Sequence, residues 1–192
     1  MSDSKAVKSE LRKKFAAARK ALSMVERMVI NGAVNSSIAA LKEFAEAPEV
    51  VAYAADSSEV DVRGVIELAL QNGKSVALPR YNPERKLYEL VFITDFERDT
   101  APGKYGLPEP HKDLPVATLG EKPLWLIPAL AFDKYGTRLG RGGGFYDRML
   151  ENALGIRVGV FYQCQYSSEA LPCEEHDQKL AMAVTEKSVY RF

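Results

Sequence analysis

Residues 136–148, Gly-Thr-Arg-Leu-Gly-Arg-Gly-Gly-Gly-Phe-Tyr-Asp-Arg, hold five of the chain's 13 glycines, with Arg138 and Arg141 among them and Asp147 close behind. Glycine lets a backbone approach a ligand and turn successive N–H groups toward it. Arginine adds fixed positive charge in a fork that suits phosphate oxygens. An aspartate beside a polyphosphate is a ready Mg²⁺ ligand. The pattern reads as a phosphate cradle with its own metal anchor. It is not a Walker A motif, because no Gly-Lys-Ser/Thr follows, and no Gly-x-Gly-x-x-Gly opens a helix after the first strand. A ligand-free glycine-rich turn is the plain alternative. The two arginines and the aspartate, set at an expected strand-to-helix junction, weigh against it.

Other side chains could join this chemistry. Lys8 and Arg12 lie four apart and share one helix face, with Arg19 further along. That face either clamps phosphates or is a solvated basic face. Glu59 stands between an expected strand and an expected helix, as a substrate carboxylate or a helix cap. His176-Asp177 reads as a hydrogen-bonded pair at a site or a solvated one. Tyr81 and Tyr105 are expected on loops by strand ends, where rings stack on flat heterocycles or simply pack. No serine or cysteine stands in a nucleophile context, so a covalent triad is unsupported.

These side chains need a frame. Residues 5–45 read as two helices, with Leu11, Phe15, Ala18 and Leu22 at helical spacing and Ser23 capping the second. Residues 50–54 read as a buried strand, 62–70 as a helix closed by Asn72-Gly73, and 75–79 as a second strand, which makes a β-α-β unit. Residues 87–93 read as an added strand and 95–122 as a long functional loop region. The most apolar run, 124–130, is expected as the central strand, with the glycine loop directly after it and a short helix through Asp147 to Leu150. Strands at 156–161 and 182–185 complete the set. The whole chain, 1–192, is expected to be a single α/β domain with a mostly parallel sheet flanked by helices on both faces.

Twenty-six basic residues balance 26 acidic ones, so neither a nucleic-acid surface nor a polybasic membrane patch is expected. No secretory signal is read in Met-Ser-Asp-Ser-Lys, and no apolar run approaches the ~20 residues of a membrane span. Cys164 and Cys173 lack metal-site spacing and are expected as free buried thiols in the cytoplasm.

Several ordered motifs then carry a resemblance. Pro128 to Asp133 followed by Gly136 to Arg148 closely resembles the signature of the 5-formyltetrahydrofolate cyclo-ligase (methenyltetrahydrofolate synthetase) family. Lys8-Ser9-Glu10-Leu11-Arg12 is similar to its N-terminal element. Glu59-Val60-Asp61, Leu78-Pro79-Arg80-Tyr81, Tyr105 to Pro110, His176-Asp177 and Val184-Thr185-Glu186 follow in the family's order. The resemblance implies a three-layer αβα fold of the CoA-transferase-like kind. It also implies an ATP- and Mg²⁺-dependent ligase of one-carbon metabolism, acting as a monomer. That ligase converts 5-formyltetrahydrofolate to 5,10-methenyltetrahydrofolate, with ADP and phosphate released. Carried over, Lys8, Ser9, Glu10, Leu11 and Arg12 would hold ATP together with Arg138, Leu139, Gly140, Arg141, Gly142, Gly143, Gly144, Phe145 and Tyr146. Arg141 and Tyr146 would act in catalysis, Asp147 would bind Mg²⁺, and Ala54, Glu59 and Tyr105 would contact the folate. The family's second metal carboxylate is replaced here by Ala181, and a tyrosine of its loop by Phe145. The competing readings are a nucleotide- or folate-binding homologue without turnover, and another phosphate-ligand enzyme such as a sugar-phosphate isomerase.

Overall fold

Helix α1 (Ser2–Ala21) ends at a cap that starts the next helix. The Ser23 hydroxyl accepts from the Glu26 N–H at 3.2 Å, and the Ser23 N–H donates to the Glu26 carboxylate at 2.7 Å. This reciprocal box opens α2 (Met24–Ala39), as the sequence predicts. The computed structural model describes residues 2–192; the side chains of residues 2–4 and of Tyr105 lie outside the described part. A short α3 (Lys42–Glu46) leads into β1 (Glu49–Val51), α4 (Arg63–Gln71) and β2 (Ser75–Asn82). Strands β1 and β2 are parallel with Val50 opposite Val76, so the β-α-β unit forms as expected. β3 (Leu87–Ile93) returns antiparallel along β2.

Segment 95–122 is less bare than its composition suggests. It carries α5 (Phe96–Asp99) and the antiparallel pair β4 (Thr100–Pro102) and β5 (Pro108–Pro110). β6 (Pro123–Pro128) is then followed by a hairpin, β7 (Ala131–Asp133) and β8 (Arg138–Leu139), before α6 (Phe145–Leu150). β9 (Ile156–Val160), β10 (Tyr166–Ser167), β11 (Met182–Val184) and β12 (Val189–Arg191) complete the chain.

The hairpin corrects the expectation that the glycine loop leaves the central strand directly. The buried Asp133 carboxylate builds it, accepting the Tyr135 and Thr137 N–H groups at 2.9 and 3.0 Å and the Leu171 N–H at 2.8 Å. Gly136 turns it at φ 73°, where an added Cβ would lie 2.6 Å from the Leu180 carbonyl oxygen. The first four residues of the motif that opened the sequence reading thus build a hairpin that also presents Arg138, and the glycine-rich loop begins at Gly140. Two other expectations are corrected. Tyr81 lies within β2 rather than on a loop, and both cysteines, although free, are exposed rather than buried.

The main sheet runs β12-β11-β9-β6-β1-β2-β3, its five inner strands parallel and its two outer ones antiparallel. Alternation sorts its side chains. Val50, Val76, Leu78, Leu124 and Leu126 pack with Val34 and Ile38 of α2 and Val65, Ile66 and Ala69 of α4. Val51, Ala77, Trp125 and Ile127 face Leu150 of α6 and Phe132 of β7 on the other side. One face is therefore covered by long helices, and the other by α6 and the small sheet β10-β7-β8. A third cluster seats α1 across the hairpin, with Leu11, Phe15 and Ala16 against Leu130, Ala131, Leu139 and Leu171.

The path from β1 to β2 steps across the sheet in one direction, and the path from β6 to β9 and β11 steps in the other. Such a reversal leaves a crevice beyond the carboxyl ends of the two diverging strands, here β1 and β6. Segment 103–108 closes over it. The half-buried Glu109 carboxylate fixes that segment by accepting the Tyr81 N–H at 2.9 Å and the Lys104 N–H at 3.1 Å. Glu109→Ala should therefore lower unfolding stability by about 1–3 kcal/mol, because two N–H groups lose their acceptor. It should also speed proteolysis within 95–122; a urea midpoint and a cleavage time course like those of the parent chain would refute the latch.

Candidate active site

A cavity of about 760 Å³ occupies that crevice. Tyr53 and Ala54, just past β1, and Pro128 and Ala129, at the end of β6, form its floor. One end is cationic. Lys8 and Arg12 reach it from α1, Arg138 from β8, and Arg141 from the loop Gly140–Gly144. The other end is apolar and aromatic, walled by Pro79, Tyr88, Leu107, Pro108, Phe145 and Tyr146, with Glu59 between the two. Tyr88 meets Phe145 edge-on at 5.0 Å and Tyr81 at 5.3 Å, which props that wall from behind.

Each cation has a specific partner. The Lys8 ammonium donates to Asp177 at 2.8 Å and to Glu174 at 3.1 Å. Burial alone would pull its pKa down, but these two hydrogen bonds outweigh it and hold the pKa above its ordinary value. Asp177 shows the mirror effect: burial pushes it up, and Lys8 brings it below the ordinary carboxylate range. The Arg12 Nε donates to the Gly140 carbonyl at 2.9 Å, which fixes the start of the loop. Arg138 is buried and donates from Nη2 to Asp147 at 2.5 Å, while its buried Nε has no partner among the described residues. Arg141 donates from Nη2 to Asp56 and to Glu59, the latter at 2.8 Å.

Glu59 sits in a fixed frame. Its Oε2 accepts the Asp56 N–H at 3.1 Å, its backbone carbonyl accepts the Tyr162 hydroxyl at 2.8 Å, and Arg19 stands 3.7 Å from Oε1. Arg19, read only as part of a basic face, is thus buried behind this carboxylate. Burial opposes ionisation of Asp56, yet hydrogen bonds from Arg141 and Ser58 hold its pKa at about 2. Burial, and then the Glu59 charge, push the Tyr146 phenol well above its usual value, so at neutral pH it is a hydrogen-bond donor and not a base.

Asp147 and its surroundings suit one kind of metal. Oδ1 accepts Arg138 and the Gln178 N–H, the latter at 3.2 Å, while Oδ2 has no hydrogen bond among the described residues. A single available carboxylate oxygen beside a cationic pocket fits Mg²⁺, which typically takes one or two carboxylates plus phosphate oxygens and waters. Ala181 begins the path into β11, with its N–H on the Arg157 carbonyl, and offers no ligand atom. Glu174, His176 and Asp177 bring their donor atoms within 4.8 Å of one another. Of the two readings of His176–Asp177 the structure favours the solvated one: among the described residues the two share no hydrogen bond, the exposed imidazole lying 3.9 Å from Oδ1 while Lys8 holds Oδ2.

The structure gathers Lys8, Arg12, Ala54, Glu59, Arg138, Leu139, Gly140, Arg141, Gly142, Gly143, Gly144, Phe145, Tyr146 and Asp147 around this cavity. Ser9 and Glu10 point to solvent on other faces of α1, and Leu11 packs into the α1–hairpin cluster. The side chain of Tyr105 lies outside the described residues. Asp56 and Glu174 escaped the sequence reading. Asp56 carries a faint local signal, since Asp-x-Ser is an Asx-turn pattern and its Oδ1 does accept the Ser58 N–H at 2.8 Å.

Comparison with known proteins agrees with this geometry. The model of the 5-formyltetrahydrofolate cyclo-ligase family matches residues 4–186. The Haemophilus influenzae 5-formyltetrahydrofolate cyclo-ligase is 32% identical over 178 residues, covering 91% of this chain and 92% of its own. The Escherichia coli K12 protein of that name is 33% identical over 147 residues, covering 74% and 80%. The NMR structure of Aquifex aeolicus 5,10-methenyltetrahydrofolate synthetase superposes with a TM-score of 0.83 at 32% identity, covering 96% of this chain and 92% of that one. The chain belongs to the 5-formyltetrahydrofolate cyclo-ligase family.

The ion pairs set an acid limit. Asp56 and Asp177 have folded-state pKa values below those of free carboxylates, so their stabilisation is complete above about pH 4.5 and is lost as pH falls through the folded values, about 2 for Asp56. Urea unfolding should give a level stability between pH 7 and about pH 4.5 and a steady fall below it. A stability that rises on acidification would contradict the pairing.

Proposed function

We propose that this member of the family is an ATP-dependent 5-formyltetrahydrofolate cyclo-ligase, with ATP at the cationic end of the cavity and the pterin on Glu59. The observation that carries the reading is the single crevice in which a glycine loop and four cations adjoin a fixed carboxylate and an aromatic wall. The relatives that share its family bear that activity in their names.

The formyl oxygen on N5 is an amide oxygen and leaves poorly. Transfer of the ATP γ-phosphoryl group to it, with ADP leaving, makes an imidate phosphate. The N10 lone pair then attacks the formyl carbon, the N10–H proton passes to the departing phosphate, the C–O bond breaks, inorganic phosphate leaves, and the five-membered ring is closed as the methenyl product. This chemistry asks for positioning and charge stabilisation more than for proton transfer. Lys8, Arg12, Arg138 and the N–H groups of Gly140–Gly144 hold the triphosphate in this reading, and the orphan Nε of Arg138 gains an acceptor. Arg141 and the protonated Tyr146 donate toward the transferring phosphoryl and formyl oxygens. The Glu59 carboxylate accepts two parallel N–H bonds from the pterin and sets its register. Asp147 would hold Mg²⁺, which would supply neutralisation of the phosphate charge. Ala54 and Tyr105 lie along the folate. The reading takes residues 1–192 as one domain and a monomer of the cytoplasm. Free exposed cysteines suit a reducing compartment, and among the described residues no helix is long and apolar enough to cross a membrane.

Purified chain mixed with 5-formyltetrahydrofolate, ATP and Mg²⁺ should yield the methenyl product, followed by its near-ultraviolet absorbance. Binding of both substrates without product would favour the non-catalytic homologue instead. Glu59→Gln should raise KM for the folate about 10- to 100-fold, the loss of a charge-assisted hydrogen bond, without raising KM for ATP. Equal effects on both substrates would remove Glu59 from the pterin site.

A further inference from the structure

Arg141 stands between two sets of partners. In this structure both Nη2 contacts go to carboxylates, Asp56 and Glu59, on the pterin side of the cavity. Its own loop faces the phosphate side. The two carboxylates are held rigidly. Asp56 Oδ1 takes the Ser58 N–H at 2.8 Å and the Ser58 hydroxyl at 2.7 Å, and the Asp56 N–H holds Glu59 at 3.1 Å. The arginine is not so held: it is half exposed and follows Gly140 and precedes three glycines, two of them at φ 97° and 64°. The movable member of the cluster is therefore Arg141.

We infer that Asp56 is a positioning residue for the reaction: by sharing Arg141 with Glu59, it makes the binding of ATP and of the folate cooperative. The inference rests on the reading above, with ATP at the glycine loop and the pterin on Glu59. The two N–H groups of a pterin need both Glu59 oxygens, so a pterin that claims Glu59 pushes Arg141 Nη2 out of its bridging position between Oε1 and Asp56 Oδ2, and the freed guanidinium turns to phosphate. A triphosphate that draws Arg141 across uncovers Glu59 for the pterin. Each ligand thus removes a competitor of the other, and the coupling is reciprocal by linkage. Arg19, fixed 3.7 Å from Glu59, keeps a cation beside that carboxylate after Arg141 has left. Asp56 retains its two Ser58 donors and some contact with water. It touches Arg141 only in the carboxylate-bound arrangement. An interaction made in one of two states biases the equilibrium between them.

Calorimetric titration of β,γ-methylene-ATP into the full chain, with and without saturating 5-formyltetrahydrofolate, tests this. In the wild-type chain the folate should tighten the nucleotide. Asp56→Asn should tighten nucleotide binding about two- to fivefold in the absence of folate, the worth of a partly exposed ion pair, and leave it unchanged in its presence. The enhancement by folate shrinks by the same factor. Asp56→Ser should behave alike, and Asp56→Glu should restore the wild-type enhancement. A merely structural role would weaken binding under both conditions. Nucleotide affinity that is unchanged or weaker in both Asp56→Asn and Asp56→Ser without folate, or a wild-type chain that binds both ligands independently, overturns the inference alone. A wild-type chain that binds neither ligand overturns the proposed function and the inference with it.

Discussion

Charge taken out of water must find an opposite charge, and this constraint organises the protein around its cavity. A buried guanidinium or ammonium without a partner costs several kcal/mol. The chain meets that demand with carboxylates, most of them from remote segments: Lys8 with Asp177, Arg141 and Arg19 with Glu59, and, nine residues apart, Arg138 with Asp147. The pairs that neutralise the pocket therefore also hold α1, the hairpin, the loop after β1 and the C-terminal segment in one arrangement. Binding chemistry and tertiary structure share the same contacts, so few of these side chains can be altered for one purpose alone.

The same balance gives Asp147 its character. Asp147 serves Arg138 through one oxygen and leaves the other available. Arg138 is itself destabilised by burial, which lowers its pKa against the opposing pull of Asp147. A polyanion that brings its own cation suits both: the phosphate answers the arginine and the metal answers the aspartate. Ala181 offers no ligand atom, so a cation at Asp147 would take its other ligands from phosphate and water.

The sequence made some of this plain and hid the rest for physical reasons. Elements long enough to show a period were legible: α1 and α2 with the Ser23 cap between them, the β1-α4-β2 unit, and the apolar β6 at the centre of the sheet. The hairpin β7–β8 and the edge strand β12, two or three residues each, are too short to carry a pattern. The hairpin is specified instead by Asp133, which accepts locally from residues 135 and 137 and, across 38 residues, from residue 171, a bond that only the tertiary fold reveals. At the site the cations that line the cavity were legible as candidates from their residue types and spacing. Their partners were not, because Arg141 meets Asp56 and Glu59 across 85 and 82 residues of chain. No local rule reports such a pairing. Nor could spacing show that Arg19 lies behind Glu59 rather than in solvent.

The Lys8 ammonium finds its two carboxylates 166 and 169 residues further on. On the ribosome, α1 emerges well before Glu174 and Asp177 do. Until then the cationic end of the cavity has no closing wall and Lys8 no buried partner. Contacts of such long sequence separation form late in folding. A nascent chain that has already built its central strands thus has no finished pocket until the segment carrying Glu174 and Asp177 has joined it.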